Sequence, residues 1–190
     1  MSFVKILEIS GLVIGLLYLY LEFKAYKGFW FVGMLMNIIG FTVYYSSGLF
    51  GECALEIFYF SAAIYGVSKW FFKVGKQKKE LAISRISSKT VIILGCILIP
   101  LYFIVLWFLI RFTPSTVPYF DALSVSLSLI GYYIMSNKYV EHWLVWIGVD
   151  FLVCALSMYK GIPFYAALYA CYCIVAGFGY KNWLKIAKSE

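Results

Sequence analysis

Residues 91–110 contain no charged side chain, and no other feature restricts the fold of this chain so tightly. About 20 consecutive apolar residues are enough to cross the hydrocarbon core of a bilayer as a helix. No water is present there to satisfy a backbone amide, so such a run must be helical. The rest of the chain repeats the pattern. Short polar breaks separate apolar stretches at 9–23, 29–45, 54–72, 91–110, 117–135, 142–158 and 162–181. This predicts an all-α integral membrane protein with seven transmembrane helices, and 1–190 reads as a single transmembrane domain. Composition agrees: 64% of the 190 residues are apolar and 13% charged, where soluble domains run at about 45–50% and about 25%. A water-soluble globule is excluded. The first residues lack a cationic stretch and a small-residue cleavage site, so the first apolar segment reads as a retained span. The weak alternation of barrel strands is not visible.

Charge supplies an orientation. With seven spans, one side carries Lys5, Arg111 and Lys160, while the other carries the remaining thirteen of the 16 lysines and arginines. These include Lys24, Lys27, Lys138, Lys181, Lys185 and Lys188, and the run at 73–89 that forms the one real linker. Lys and Arg accumulate on the cytoplasmic side, so the N-terminus is expected outside and the C-terminus in the cytoplasm. The net charge of +7 then reflects membrane sidedness and implies no nucleic-acid partner. The linker reads as a solvated loop, with anionic membrane lipid as its alternative contact.

Little here supports chemistry. The five cysteines (Cys53, Cys96, Cys154, Cys171, Cys173) all lie in apolar stretches without a Cys-x-x-Cys, and the single histidine, His142, stands at a span boundary. Disulfides, metal and cofactors are not expected. No Ser or Cys has a base at useful spacing and no glycine-rich phosphate loop is present, so an enzyme is not expected.

The chain matches itself at a constant offset of 113 residues: Tyr26, Trp30, Val32, Gly48, Ala54, Leu55, Tyr59, Ala63, Gly66 and Trp70 fall on Tyr139, Trp143, Val145, Gly161, Ala167, Leu168, Tyr172, Ala176, Gly179 and Trp183. Two matched pairs among only six tryptophans are hard to obtain by chance. The offset makes 9–72 one repeat, 117–183 the other and 91–110 a connector helix. Three spans plus one return the chain to its starting side, so this 3+1+3 plan is parallel. Parallel three-helix repeats are a transporter plan with substrate held near the midplane. A cation channel or a structural bundle shares it.

Acids inside spans are costly, about 2.5–3.5 kcal/mol for a central Asp, and face cavities or partners. Trp143, Trp146 and Asp150 fall on one helical stripe, offering flat faces and an acceptor to a planar aromatic cation, which stacks on indole for about 0.5–2 kcal/mol. Glu56 makes a second stripe with Tyr59. At the offset of 113, Asn37 falls on Asp150 and Glu56 on Tyr169, so spans two, three, six and seven are each expected to lend a polar group to a central pocket. Glu8 and Asp121, near span ends, read as solvated or capping residues.

The elements Trp143-x-x-Trp146-x-x-x-Asp150, the preceding Lys138-Tyr139-Val140-Glu141-His142, Ala63-Ile64-Tyr65-Gly66 and the Asp121 opening of span five resemble the Pnu-type vitamin transporters. The resemblance implies a facilitator that lets a cationic aromatic vitamin run down its gradient, with a cytoplasmic vitamin kinase trapping the product and a homotrimeric assembly. By that similarity Trp143, Trp146, Asp150, Asn37, Glu56 and Tyr169 line the pocket. Members that carry nicotinamide riboside have amides where this chain has Asp150 and Glu56, Asn at Ala63 and Thr at Cys173. The family name implies nicotinamide riboside; the more acidic pocket resembles the thiamine branch.

Overall fold

The computed structural model describes residues 14–46, 50–72, 81–159 and 163–189. Glu8, Lys5 and the lysines of 73–79 lie outside these residues, as does the Cys53 side chain. Among the described residues there are seven helices and no strand. They are α1 (Ile14–Phe23), α2 (Phe29–Ser46), α3 (Phe50–Phe71), α4 (Ser88–Phe112), α5 (Pro118–Ser136), α6 (His142–Tyr159) and α7 (Pro163–Ser189). Each coincides with an expected span to within a few residues, except that α7 runs on to Ser189, well past the expected end at Lys181. Its last turns carry Lys181, Lys185 and Lys188. Apolar side chains cover the outside: on α4 alone Ile92, Phe103, Ile104 and Trp107 are exposed. Within the Ser88–Phe112 helix an 18-residue window of mean hydropathy 2.8 is only 6% buried. A soluble protein does not leave such a helix bare; lipid is its solvent.

The chain forms two compact units, Met1–Leu81 and Ala82–Glu190. In the first, α1 packs on α2 where the Tyr18 ring meets the Cβ-less surface of Gly33, and α2 packs on α3. In the second, α4, α5, α6 and α7 pack in sequence order. Leu94 of α4 meets Ile130 and Ile134 of α5, with Leu98, Leu101 and Val145 around them.

Geometry recurs at the 113-residue offset. Helix α1 closes in a Schellman turn: Tyr26 N–H donates to Leu21 O at 2.9 Å and Ala25 N–H to Glu22 O at 2.9 Å. In α5, Tyr139 N–H donates to Ile134 O at 3.1 Å and Lys138 N–H to Met135 O at 3.0 Å. Each residue of the second pair of bonds sits 113 places beyond its counterpart in the first. The residue after the helix takes the left-handed conformation in this motif, and among the described residues Ala25 (φ 51°) and Lys138 (φ 56°) are the non-glycine residues that do so. Beyond each turn lies the same aromatic cluster. Trp30 and Trp70 meet edge to face at 6.0 Å and 78°, and Trp143 and Trp183 at 6.1 Å and 79°. Phe29 completes the first cluster and His142 the second. Gly66 and Gly179 let the Trp30 and Trp143 rings lie on the backbone of α3 and α7, space that a Cβ at either position would fill.

From residue 81 onward the linker departs from the solvated loop expected of it. Its described part, from 81 onward, is tied to the α5–α6 corner: Ser84 N–H donates to Lys138 O at 3.1 Å and Val140 N–H to Ser84 O at 3.0 Å. Ile83 is buried. Glu141 accepts from Arg85 Nε and from the Ile86 N–H, both at 2.9 Å. The hydrogen bond to Glu141, and then its charge, raise the Arg85 pKa above its ordinary value. Alternating polar and apolar residues (Ile83, Ser84, Arg85, Ile86) suit a segment lying half against protein, and Ser87 caps α4 by accepting from Thr90 N–H at 3.2 Å.

Candidate substrate site

In the first unit the two expected polar residues meet. Asn37 stands near the middle of α2 and Glu56 in the second turn of α3. With its amide oriented to satisfy both ends, Asn37 Nδ2 donates to Glu56 Oε2 at 3.1 Å and its Oδ1 accepts from the Phe60 N–H at 3.1 Å. Gly40, one turn along α2, makes the approach feasible: a Cβ there would sit 2.5 Å from Glu56 Oε1. The carboxylate is thus laid across α2 by a charge-assisted bond. Tyr59 follows on α3, partly buried, with the Phe58 ring at 6.0 Å.

In the second unit, sulfur contacts set the register of α6 against α7. Cys173 Sγ lies 3.5 Å from Ile147 O and Cys154 Sγ 3.2 Å from Ala166 O. Asp150 lies on α6 between those two levels. Asp150 is 9% exposed and close enough to Tyr172 and Cys173 to act on them electrostatically. The Tyr169 and Tyr172 rings meet edge to face at 5.6 Å. Trp146, one turn before Asp150, is partly buried and stands edge to face with Tyr132 of α5 at 5.5 Å and 88°. Its ring leans on Gly131. The offset of 113 carries Tyr18 to Gly131 and Gly33 to Trp146, so the aromatic at this helix crossing comes from α1 in one unit and from α6 in the other.

Trp143 is placed differently from its stripe-mates. It is 1% exposed, sandwiched among Gly179, His142 and Trp183. Its indole N–H has no hydrogen-bond partner among the described residues. His142, which reads from sequence as a boundary residue, is wholly buried, with Nδ1 2.8 Å from Tyr139 O. Asp121 has the local role expected at a helix start, accepting from Ser115 Oγ at 2.5 Å.

Sequence reasoning passed over three residues near Asp150. Tyr172 is close to Asp150, and the Tyr132 ring meets Trp146 one turn away. Ser126 lies a turn and a half before Gly131 on α5, which brings it level with Asp150 on antiparallel α6. It is fully buried, and its Oγ has no hydrogen-bond partner among the described residues. The alternation Ser124, Ser126, Ser128 in an apolar helix was the available signal. No group of three His, Cys, Asp or Glu residues able to hold a metal occurs among the described residues.

Across residues 5–185 the sequence matches the model of the nicotinamide mononucleotide transporter family. The chain belongs to that family. It is similar to the nicotinamide riboside transporter PnuC of Escherichia coli (strain K12), at 22% identity over 208 residues, covering 97% of this chain and 87% of the relative. A shorter match, 29% identical over 68 residues, joins 36% of this chain to 29% of the nicotinamide riboside transporter PnuC of Haemophilus influenzae. A solved structure described as the crystal structure of the vitamin B3 transporter PnuC has a TM-score of 0.73 at 21% identity, covering 94% of this chain and 80% of that one. That likeness is one of fold. Family membership makes the protein a membrane transporter of the vitamin class.

Proposed function

We propose that this protein is a facilitator of the bacterial plasma membrane that takes up nicotinamide riboside. The reading is supported by Asp150, a carboxylate of low exposure on α6 beside Tyr172 and Cys173 of α7 and one turn from Trp146, in a member of this family. A nicotinamide ring bearing a positive charge gains from an indole face and from a carboxylate with low exposure to water. Ribose hydroxyls find an acceptor in the Asp150 carboxylate. The burial of Trp143 suits it to support Trp146 from the turn below.

The parallel 3+1+3 plan is part of the proposal. Its support is the equal geometry of the two Schellman turns and of the two tryptophan pairs. The outside N-terminus and cytoplasmic C-terminus rest on the thirteen-to-three division of lysine and arginine. Diffusive rather than coupled uptake, a homotrimer, and capture of the product by a cytoplasmic kinase follow the family resemblance. Thiamine is the competing passenger, favoured by carboxylates at positions 56 and 150; the relatives named for nicotinamide riboside favour the first.

Uptake into proteoliposomes tests this. Saturable entry of nicotinamide riboside, unchanged when the proton gradient is collapsed, is expected. Saturable entry of thiamine alone, or loss of uptake on collapse, overturns the substrate or the diffusive mechanism respectively.

A further inference from the structure

The docked linker and the overlong end of α7 form a feature that vitamin transport does not use. An open cleft of about 410 Å³ is lined by Ile83, Ser84 and Arg85 on one wall and Leu184, Ala187 and Lys188 on the other. One wall is rigid by construction. Ser84 is bonded through its backbone to Lys138 and Val140, Ile83 is buried beneath it, and Arg85 is fixed through Nε to Glu141. Arg85 is nevertheless 67% exposed, because a guanidinium has five N–H donors and Glu141 engages only Nε. Glu141, the acid at this wall, is spent on Arg85 and the Ile86 N–H. On the other wall Lys188 lines the cleft, and Lys181 and Lys185 precede it on α7 at intervals of four and three, one exposed helical stripe. The local charge is therefore positive, and half of the lining residues are apolar.

We propose that this cleft holds the headgroup of an anionic phospholipid, its phosphate between Arg85 and Lys188 and its glycerol against Ile83, Leu184 and Ala187. A free phosphate ion has no use for the apolar floor; a lipid does. Basic residues at the cytoplasmic edge of a membrane helix attract anionic lipid with about 1 kcal/mol each, roughly fivefold in affinity per lysine. Only the leaflet, the cytoplasmic one, rests on the orientation proposed above.

The test is native mass spectrometry of the full-length protein released from detergent, titrated with phosphatidylglycerol and, separately, phosphatidylcholine of the same chains. Preferential retention of phosphatidylglycerol is expected, reduced at least tenfold in Lys185→Glu with Lys188→Glu. The Arg85→Lys variant keeps the charge but loses the fork and is expected to retain an intermediate amount. Unchanged thermal unfolding in phosphatidylcholine alone identifies variants that fold. Equal retention of both lipids, undiminished phosphatidylglycerol in the folded double variant, or displacement of the lipid by millimolar inorganic phosphate overturns the proposal. Lipid retention in micelles requires no vitamin uptake, so failure of the transport reading is seen separately.

Discussion

Asn37 Nδ2 lies 3.1 Å from Glu56 Oε2, joining the middle of α2 to α3 through an amide and a carboxylate inside an apolar unit. Both partners lie among side chains facing hydrocarbon or protein, so the bond matters more than one in water. Removing one member leaves the other to be desolvated without its partner. Gly40 holds the pair together by its lack of a side chain.

Gly40→Ala is expected to push the Glu56 carboxylate off α2 and to lower thermal stability by about 1–3 kcal/mol, the usual range for overpacking. Asn37→Ala is expected to cost about 1–3 kcal/mol through the stranded carboxylate, and Glu56→Gln much less, since an amide still accepts from Asn37. Thermal unfolding in detergent reads all three. A Gly40→Ala variant as stable as wild type contradicts the close approach.

The two tryptophan clusters make paired predictions. Trp30→Ala and Trp143→Ala each empty a large buried site and are expected to cost about 3–5 kcal/mol. Gly66→Ala and Gly179→Ala drive a Cβ into the same rings and are expected to destabilise by about 1–3 kcal/mol. Because the clusters have the same geometry, the matched variants are expected to shift the unfolding temperature by similar amounts. A harmless Gly179→Ala beside a damaging Gly66→Ala contradicts that equivalence.

At the helix-ending turns the opposite sign is expected. A side chain in the left-handed region costs roughly 1–2 kcal/mol, while glycine loses about 0.4–1 kcal/mol through the entropy of the unfolded chain. Ala25→Gly and Lys138→Gly are therefore expected to stabilise by up to about 1 kcal/mol, or to be neutral. A clear loss in Lys138→Gly, with a gain in Ala25→Gly, shows that the Lys138 side chain itself contributes.

Much of the architecture was legible in the sequence because bilayer physics writes it plainly. Uncharged runs must be helices, and the breaks between them set six of the seven helices to within a few residues. The offset of 113 was legible through Trp30, Trp70, Trp143 and Trp183, rare residues that meet in pairs. The Asn37–Glu56 contact was half legible: a helical stripe shows that a polar residue faces inward, not which neighbour receives it. Other features depend on tertiary contacts that leave no periodic trace. Trp143 and Trp146 share a stripe, yet Gly179 draws one into the protein and Gly131 receives the other. Left-handed turns at Ala25 and Lys138 carry no glycine to announce them. The docking of Ile83–Ile86 on Glu141 was masked by the lysine-rich stretch before it, whose composition reads as solvated.

The central claim is that Asp150 and Trp146 meet a flat cationic vitamin. Calorimetric titration of the purified protein with nicotinamide riboside tests it directly, with thiamine as comparison. Saturable binding of nicotinamide riboside is predicted, weakened by about 1–3 kcal/mol in Asp150→Ala and in Trp146→Ala, with each variant still folded. A flat titration of the wild-type protein, or wild-type affinity in both variants, contradicts the account.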